Sequence, residues 1–244
     1  MTKFIAFSDN HGNVEAIKEM KDIIKRKNLD VDFLIGAGDF TNSIFHNDQG
    51  KVKQTVQKID SIIEELNTKF LYVRGNRDIT GFKFENGTNI ENQIVEINNL
   101  KITGDRENFD KADITVRHSP SYRKGIPQSL LHIEGHIHTG IFSNKKKRYF
   151  LNTGFLYKGG KHNANDKNQG LGGFFKIEVG ENNKMSHEFM YLPDSVMSLK
   201  KCSKHKGYFY TPWNNCPFCY DDKNQDINYL KDFLKPTNLN EFLK

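Results

Sequence analysis

The apolar positions in the first third of the chain follow two different spacings, and each spacing predicts a different element. Residues 4–7, 32–37 and 70–73 are short runs rich in Phe, Ile, Leu and Val, which is typical of buried strands. Between them, residues 13–28 and 52–66 carry apolar side chains at three- and four-residue spacing, which predicts two amphipathic helices. This β-α-β-α-β series predicts right-handed crossovers and a largely parallel sheet.

After residue 81 the predicted strands are no longer separated by helices. Apolar runs at 90–97 and 100–103 flank the pair Asn98-Asn99, and this arrangement predicts a β-hairpin. Further strands are predicted at 114–116, 131–133, 149–151, 172–179 and 185–191.

Polar side chains of the types that bind metals follow the ends of most of these predicted strands. They are Asp9, His11, Asp39, Asn76, His118, His136 and His138. Asp9 and His11 are two residues apart, as are His136 and His138, so on an extended segment the side chains of each pair point the same way. Open α/β sheets place their ligand sites where strands end, so the sequence predicts that these side chains form one site.

The mixture of carboxylate, imidazole and amide side chains in this set indicates which metals it would bind. Such a shell suits Mn, Fe, Ni or Zn more than Ca. A shared carboxylate can hold two ions about 3.5–4 Å apart, and such a pair activates a water and neutralises charge on a phosphoryl group. The set therefore predicts two divalent metal ions and hydrolysis of a phosphoester by in-line attack of metal-bound hydroxide.

The motifs D-x-H-G, G-D, G-N-x-D, H and G-H-x-H, in this order, resemble those of the calcineurin-like metallophosphoesterase superfamily over roughly residues 1–191. The resemblance implies an α/β (α+β) four-layer sandwich, in which two mixed β-sheets are flanked by helices. It also implies the distribution of ligands. Asp9, His11 and His138 would hold one ion, Asn76, His118 and His136 would hold the other, and Asp39 would bridge them.

The third motif departs from the commonest family form, G-N-H-[DE], because Arg77 stands in place of the histidine that serves as general acid or phosphate contact. Arginine cannot donate its proton at neutral pH, but it can hold a phosphoryl oxygen with two hydrogen bonds. Small prokaryotic phosphodiesterases of the family resemble this chain in lacking the histidine. We therefore predict a phosphodiesterase in which Arg77 stabilises charge, Asp78 orients Arg77 or a metal ligand, and Asn10 reaches a phosphate oxygen. His46 and His162 are candidates for the missing acid.

The charge of the chain bears on its partners. A net charge of +6 and a pI near 9.0 favour acidic partners, and nucleic acid comes first among them. The predicted substrate is therefore a nucleic acid or a nucleotide, although basic runs at 145–148 and 200–206 are equally typical of solvated surface.

Two other functions stay open: a phosphomonoesterase acting on proteins or small molecules, and a binding scaffold with degenerate activity. The retromer's scaffolding subunit resembles the superfamily and works in this second way, but here all seven ligand positions are intact.

All three cysteines lie in the last fifth of the chain. Cys202, His205, Cys216 and Cys219 give the spacing C-x2-H-x10-C-x2-C, which suits a tetrahedral structural zinc site and resembles a zinc ribbon. The alternative is three unrelated thiols and a nearby histidine.

Residues 193–199 are the predicted linker, so the chain divides into a metallophosphoesterase domain of residues 1–198 and a zinc-ribbon-like module of residues 199–244 with short terminal helices. Basic and aromatic residues of the module, among them Tyr208 and Tyr210, suit contact with nucleic acid, and the alternative is simple docking on the larger domain.

Composition places the chain among soluble globular proteins. The share of hydrophobic residues is 36%, the share of charged residues is 27%, and the mean hydropathy is −0.69. No apolar run approaches the roughly 18 residues of a membrane span, and residues 1–7 lead directly into a strand pattern without a signal sequence. We predict a cytoplasmic protein with no membrane contact.

Overall fold

The computed structural model describes residues 1–42, 49–119, 127–145, 147–156, 171–204 and 208–212. In chain order the main elements are β1 (Thr2–Phe7), α1 (Val14–Arg26), β2 (Phe33–Ala37), α2 (Gln49–Glu64), β3 (Lys69–Val73), β4 (Gly87–Asn89), β5 (Ile94–Ile97), β6 (Leu100–Thr103), β7 (Ile114–Arg117), β8 (Leu131–Glu134), β9 (Gly140–Lys145), β10 (Arg148–Thr153), β11 (Gly173–Val179), β12 (Met185–Tyr191), β13 (Ser198–Lys201) and β14 (Tyr208–Thr211). None of the helices in these ranges has the length and apolar character to cross a membrane.

The six-stranded sheet has the order β12-β11-β1-β2-β3-β4. Strands β1 to β4 run parallel, and the predicted β-α-β-α-β series is confirmed. Strands β11 and β12 extend the sheet antiparallel beyond β1. Strand β4 was not predicted, because its sequence Gly-Thr-Asn contains no apolar residue.

The eight-stranded sheet has the order β13-β14-β9-β10-β8-β7-β6-β5. Its four central strands, β10, β8, β7 and β6, are parallel, and the outer strands are antiparallel, so both sheets are mixed as predicted. The predicted hairpin is confirmed as β5 and β6. Asn98 and Asn99 form its turn with φ angles of 50° and 64°, a left-handed conformation that asparagine tolerates better than most residues.

The two sheets pack face to face, and α1 and α2 cover the outer face of the six-stranded sheet. Ile35, Leu71, Val116 and Ile133 are among the buried residues between the sheets. On the other face of the six-stranded sheet, α1 and α2 bury a second cluster around Phe40. Each fully buried side chain of this size contributes roughly 1.5–3 kcal/mol of transfer free energy. The strand ends that carry the polar motifs are therefore held between two packed layers.

The predicted four layers are only partly present in the described ranges. Outside the eight-stranded sheet these ranges contribute one short 3-10 helix, Arg106–Lys111, whose Phe109 ring lies 6.0 Å from the ring of His132. The connection from β6 to β7 consists only of residues 104–113, which is too short for a full crossover helix with its loops.

Strands β13 and β14 lie within or next to the segment that the sequence assigns to a separate module. They form a hairpin whose Tyr210 pairs with Gly140 of β9, so the eight-stranded sheet continues across the predicted boundary at residue 198. Tyr210 is 6% exposed and stacks on Phe189 at 4.2 Å, so it is not available to stack on a base at the surface. Cys202 is buried after β13. The other predicted zinc ligands, His205, Cys216 and Cys219, lie outside the described residues, as do the terminal helices.

Candidate metal centre

The seven predicted ligands all follow the carboxyl ends of strands that lie near the middle of the two sheets. Asp9 and His11 follow β1, Asp39 follows β2, Asn76 follows β3, His118 follows β7, and His136 and His138 follow β8. Because β1, β2 and β3 are parallel neighbours, as are β7 and β8, their carboxyl ends open at one edge of each sheet.

Asp9, His11 and His138 form one group of converging ligand atoms, all within 4.8 Å of one another. Asp9 Oδ1 lies 3.2 Å from His138 Nε2, and the Nε2 atoms of the two histidines are 3.1 Å apart. Asp9 is fully buried, and the side chain of His11 is 4% exposed. Three ligand atoms that face a common point in this way form a candidate site for one metal ion.

Asp39, His118 and His136 form a second group, again within 4.8 Å of one another. His118 Nε2 lies 3.2 Å from Asp39 Oδ2. The side-chain oxygen of Asn76 adds a fourth ligand atom, because it lies 3.0 Å from His118 Nε2 and 3.0 Å from His136 Nδ1. This group matches the second predicted ligand set.

Asp39 lies between the two groups. Its Oδ1 accepts a hydrogen bond from the backbone N–H of Arg77 at 2.7 Å. Its Oδ2 lies 3.2 Å from His118 of one group and 4.0 Å from His11 of the other. A carboxylate with an oxygen between two sets of ligand atoms has the position that a bridging ligand requires.

Hydrogen bonds outside the two groups orient several of these ligands. His118 Nδ1 donates to the carbonyl oxygen of Ala37 at 2.8 Å, which fixes the tautomer and presents Nε2 to the site. Asp9 Oδ2 accepts from Ser8 Oγ and from the backbone N–H of His136, the latter at 2.9 Å. Ser8 Oγ also contacts Thr153 Oγ1 from β10. Asp9 therefore turns its other oxygen, Oδ1, towards the histidines.

Five of the seven ligands have a left-handed backbone. Their φ angles are 54° for Asp9, 47° for His11, 56° for Asp39, 72° for His136 and 52° for His138. This conformation costs a non-glycine residue roughly 1–2 kcal/mol. Such strain persists where the surrounding fold over-determines it, and it concentrates at functional sites. The left-handed backbone therefore occurs at five of the seven residues whose side chains converge.

Two glycines allow the loops of the site to approach closely. A Cβ on Gly38 would lie 2.7 Å from the backbone nitrogen of Gly75 and 2.8 Å from His118 Cβ. A Cβ on Gly75 would lie 2.1 Å from Asp39 Oδ1. Real Cβ atoms do not come this close, so Asp39, Asn76 and His118 can share one site only because glycine precedes the first two.

The electrostatics of the cluster favour positive charge at its centre. Burial opposes ionisation of Asp9, but His118, His138 and His11 hold its pKa below the usual range. Burial likewise disfavours the charged form of His118, yet the carboxylates of Asp9 and Asp39 raise its pKa to about 9. Burial and the charge of His118 lower the pKa of His136. A site that retains a proton so strongly between two carboxylates fits divalent cations, which displace such protons when they bind.

Asp78 does not contact the ligand atoms and instead holds the loop that carries Asn76. Its carboxylate accepts from the backbone N–H of Gly75 at 2.7 Å, from the backbone N–H of Thr41 at 2.8 Å, and from Thr41 Oγ1 at 3.0 Å. Burial, together with the charge of Asp39, raises the pKa of Asp78 to about 7. Asp78 therefore positions two ligand-bearing loops against each other.

Arg77 and Asn10, the other two predicted catalytic residues, differ in their exposure. Arg77 is partly exposed next to Asn76, and its backbone N–H donates to Asp39. Asn10 is fully buried, and its Nδ2 donates to the carbonyl oxygen of Phe40 at 3.3 Å. That Asn10 reaches a phosphate oxygen stays a prediction. His46 and His162 lie outside the described residues.

Sequence reasoning missed Ser8, Thr153 and Thr41, whose side chains support the ligands. Ser8 precedes Asp9 directly, so its position next to a predicted ligand was the only available signal. Thr153 reaches Ser8 across 145 positions of the chain, and no local pattern reports such a contact.

Comparison with known families identifies the superfamily of the chain. The family model described as Calcineurin-like phosphoesterase superfamily domain matches residues 2–166. The chain belongs to this superfamily. Membership implies a metal-dependent phosphoester hydrolase, and the two groups of converging ligand atoms are its candidate metal-binding sites.

Several solved structures resemble the chain at low sequence identity. The protein TT1561 of Thermus thermophilus aligns with a TM-score of 0.54 and 12% identity over 77% of this chain and 98% of its own. Yfce, a phosphoesterase from E. coli, aligns with a TM-score of 0.42 and 15% identity over 78% and 100% of the two chains. Vps29 from Entamoeba histolytica, complexed with Zn²⁺, aligns with a TM-score of 0.42 and 16% identity over 78% and 99%. No curated protein matches the sequence. Among these three, the first similarity supports the shared fold.

Proposed function

We propose that this phosphoesterase is a dinuclear-metal-dependent phosphodiesterase that acts on a nucleic acid or a nucleotide. The observation that carries the proposal is the convergence of seven side chains into two groups with Asp39 between them. That geometry meets the requirement of two-metal phosphoester hydrolysis, in which one shared carboxylate sets the separation of the ions.

The residues divide into two sets of ligands under this proposal. Asp9, His11 and His138 hold one ion, and Asn76, His118 and His136 hold the other. When bound, two ions of Mn, Fe, Ni or Zn would activate a water for in-line attack and neutralise charge on the phosphoryl oxygens. Asp39 keeps the two ligand sets in register, and the bonds of Ser8 and Ala37 keep Asp9 and His118 oriented.

Arg77 and Asp78 complete the proposed catalytic set. Arg77 follows the ligand Asn76 directly, and a guanidinium can hold a phosphoryl oxygen with two hydrogen bonds as negative charge develops. Asp78 acts indirectly, because it ties the loop of Asn76 and Arg77 to Thr41, which follows the loop of Asp39. His132 and His187 pack against Phe150 and Phe142, so they are not presented as acids. The leaving oxygen therefore takes its proton from solvent or from a residue outside the described ranges.

Two features favour a diester substrate that carries nucleotides. The chain has Arg77 in place of a histidine acid, and a diester with a good leaving group depends less on proton donation. The net charge of +6 favours polyanions.

The first experiment compares hydrolysis of bis(p-nitrophenyl) phosphate with hydrolysis of p-nitrophenyl phosphate in Mn²⁺, Ni²⁺ and Zn²⁺. Asp39→Asn is the control, because it preserves shape but weakens the bridging charge. We expect metal-dependent diester cleavage that Asp39→Asn loses. A preference for the monoester would identify a phosphomonoesterase instead, and inactivity in every metal would favour the binding scaffold.

The structural zinc is a separate part of the proposal. Cys202, His205, Cys216 and Cys219 have the spacing of a closed four-ligand site, and Cys202 is buried at the end of β13. Metal analysis of the Asp39→Asn protein after mild chelation tests it. We expect one tightly held zinc that Cys216→Ser releases, whereas no retained zinc would refute the site.

A further inference from the structure

A groove with a volume of about 660 Å³ runs between α2 and residues 79–86. Cavities of this size fall within the range that binds small ligands and cofactors. The ligand atoms of the metal centre do not line it, so it is a separate feature of the surface.

Both walls of the groove are connected to the loops of the metal centre. One wall begins at Ile79, directly after Asp78 and three residues after Asn76. The other wall is α2, whose Thr55 Cγ2 lies 3.6 Å from the position of a Cβ on Gly12, the residue after His11. The groove therefore begins next to the loop that carries Asn76, and its helical wall contacts the loop that carries His11.

The charges of the groove are unevenly distributed. Lys53 of α2 and Lys83 of the opposite wall are exposed, and neither has an ion-pair partner within the described ranges. The first turn of α2 adds the positive end of the helix dipole. Asp60 lies about 10 Å further along the helix, where its carboxylate accepts from the backbone N–H groups of Glu85 at 3.0 Å and Asn86 at 3.2 Å.

Glu64 and Glu85 line the same acidic end as Asp60. An anionic group is therefore favoured near Lys53, at the end of α2 that begins beside the metal loops, and is disfavoured beyond Asp60. This gradient limits the anionic part of a ligand to a short stretch of the groove.

The middle of the groove suits a nucleobase. Val56 is 7% exposed and Phe82 is 9% exposed, and together they supply apolar surface on opposite walls. The exposed Gln57 supplies an amide that both donates and accepts hydrogen bonds, whereas the amide of Asn86 already donates to Asp60 at 3.2 Å.

We propose that this groove binds the nucleotide next to the scissile phosphate of a single-stranded polynucleotide, with the neighbouring phosphate between Lys53 and Lys83. The inference rests on the proposed phosphodiesterase function and narrows its substrate from nucleotides in general to a strand. A mononucleotide or a small diester would leave the groove empty.

Binding without turnover tests the subsite directly. Full-length protein in EDTA is titrated against a fluorescein-labelled single-stranded oligothymidylate, and fluorescence anisotropy is read at several salt concentrations. We expect the Lys53→Ala/Lys83→Ala double variant to bind about tenfold more weakly and with a shallower salt dependence. Lys58→Ala is the matched control, because Lys58 is exposed on the same helix but does not line the groove. It should bind as the parent protein does.

Kinetics then separate this inference from the proposed function. With the oligonucleotide as substrate, the double variant should have a higher KM and an unchanged kcat. For this variant, kcat/KM for the oligonucleotide should therefore fall relative to kcat/KM for bis(p-nitrophenyl) phosphate. Weak binding by the double variant in a protein that cleaves no diester would support the subsite and refute the phosphodiesterase. Diester cleavage with unaltered oligonucleotide binding, or equal losses in the double variant and Lys58→Ala, would overturn the subsite.

Discussion

Strand β8 serves two buried clusters of histidine and carboxylate side chains that have opposite properties. Beyond its carboxyl end, His136 and His138 join the acids of the metal centre. Within the strand, Glu134 accepts from Arg117 Nε at 2.7 Å and contacts His132 Nε2 at 2.9 Å. The first cluster brings ligand atoms together around a common point, whereas the second places Arg117 and His132 on one carboxylate oxygen of Glu134.

The pKa values show what this difference means. In the metal centre, two carboxylates outweigh burial and raise the pKa of His118 to about 9. In the strand cluster, burial and the nearby charge of Arg117 lower the pKa of His132, although Glu134 opposes them. Where an arginine neutralises the carboxylate, the histidine has a structural role. Where carboxylates face only histidines, the cluster favours a cation.

The largest expected effect comes from the bridging carboxylate. Asp39→Asn should reduce kcat/KM for bis(p-nitrophenyl) phosphate by roughly 1,000-fold or more, because the bridging charge that holds two ions contributes several kcal/mol. Steady-state kinetics and metal analysis measure it. Retained activity with full metal content would show that the two ligand groups do not act as one site.

A change in the cluster of Arg117, His132 and Glu134 should affect the stability of the fold and not metal binding. Glu134→Gln removes the charge that compensates buried Arg117 and should lower the free energy of unfolding by about 3 kcal/mol. Urea unfolding measures this change, and metal content per folded molecule should stay the same. A loss of metal without a loss of stability would contradict the distinction between the clusters.

Arg77→Ala should lower kcat/KM for the diester by about 100-fold, as expected for the loss of one group that stabilises transition-state charge. Metal content should not change, because the ligand-supporting contact of this residue is its backbone N–H to Asp39. Arg77→Lys provides a matched variant that keeps the charge but loses the planar fork. Full activity in both variants would remove Arg77 from the mechanism.

A third histidine isolates the effect of burial. His187 stacks on Phe142 at 4.2 Å, and burial lowers its pKa to about 4. As the pH falls, the His187 imidazole takes up a proton in the unfolded state before it does so in the folded state. The contribution of neutral His187 to stability is therefore complete above about pH 6.5 and is lost as the pH falls towards 4. The loss should reach about 2–3 kcal/mol. Urea unfolding between pH 7 and 4 should show a weaker pH dependence in His187→Leu than in the parent protein, and equal slopes would refute this account.

The smallest expected effect concerns the support of Asp9. Ser8→Ala removes a hydrogen bond to Asp9 Oδ2 and should weaken metal affinity by about tenfold, the lower end for partners of a metal ligand. Metal titration followed by calorimetry measures it. Ser143→Ala, a buried serine on β9, is the control and should leave affinity unchanged.

Much of the fold and of the site could be predicted from local patterns. Helix α1 and the hairpin of β5 and β6 follow from apolar spacing and from Asn98-Asn99, because these signals act over a few residues. All seven predicted ligands converge as two groups with Asp39 between them, because each follows a strand that local spacing identifies. Strands β4 and β9 were missed because their residues are partly polar or small and gain their pairing from neighbours.

The strand ends, the types of ligand and their order follow from the amino-acid sequence alone, because periodicity and residue chemistry are local properties. The contacts that support the ligands arise only when distant segments pack. Ser8 meets Thr153, and His118 meets the carbonyl of Ala37, across 145 and 81 positions of the chain. The burial of Asn10 and the extension of the sheet by β13 and β14 have the same origin. Such outcomes depend on the free energy of packing, which is not encoded at any single position.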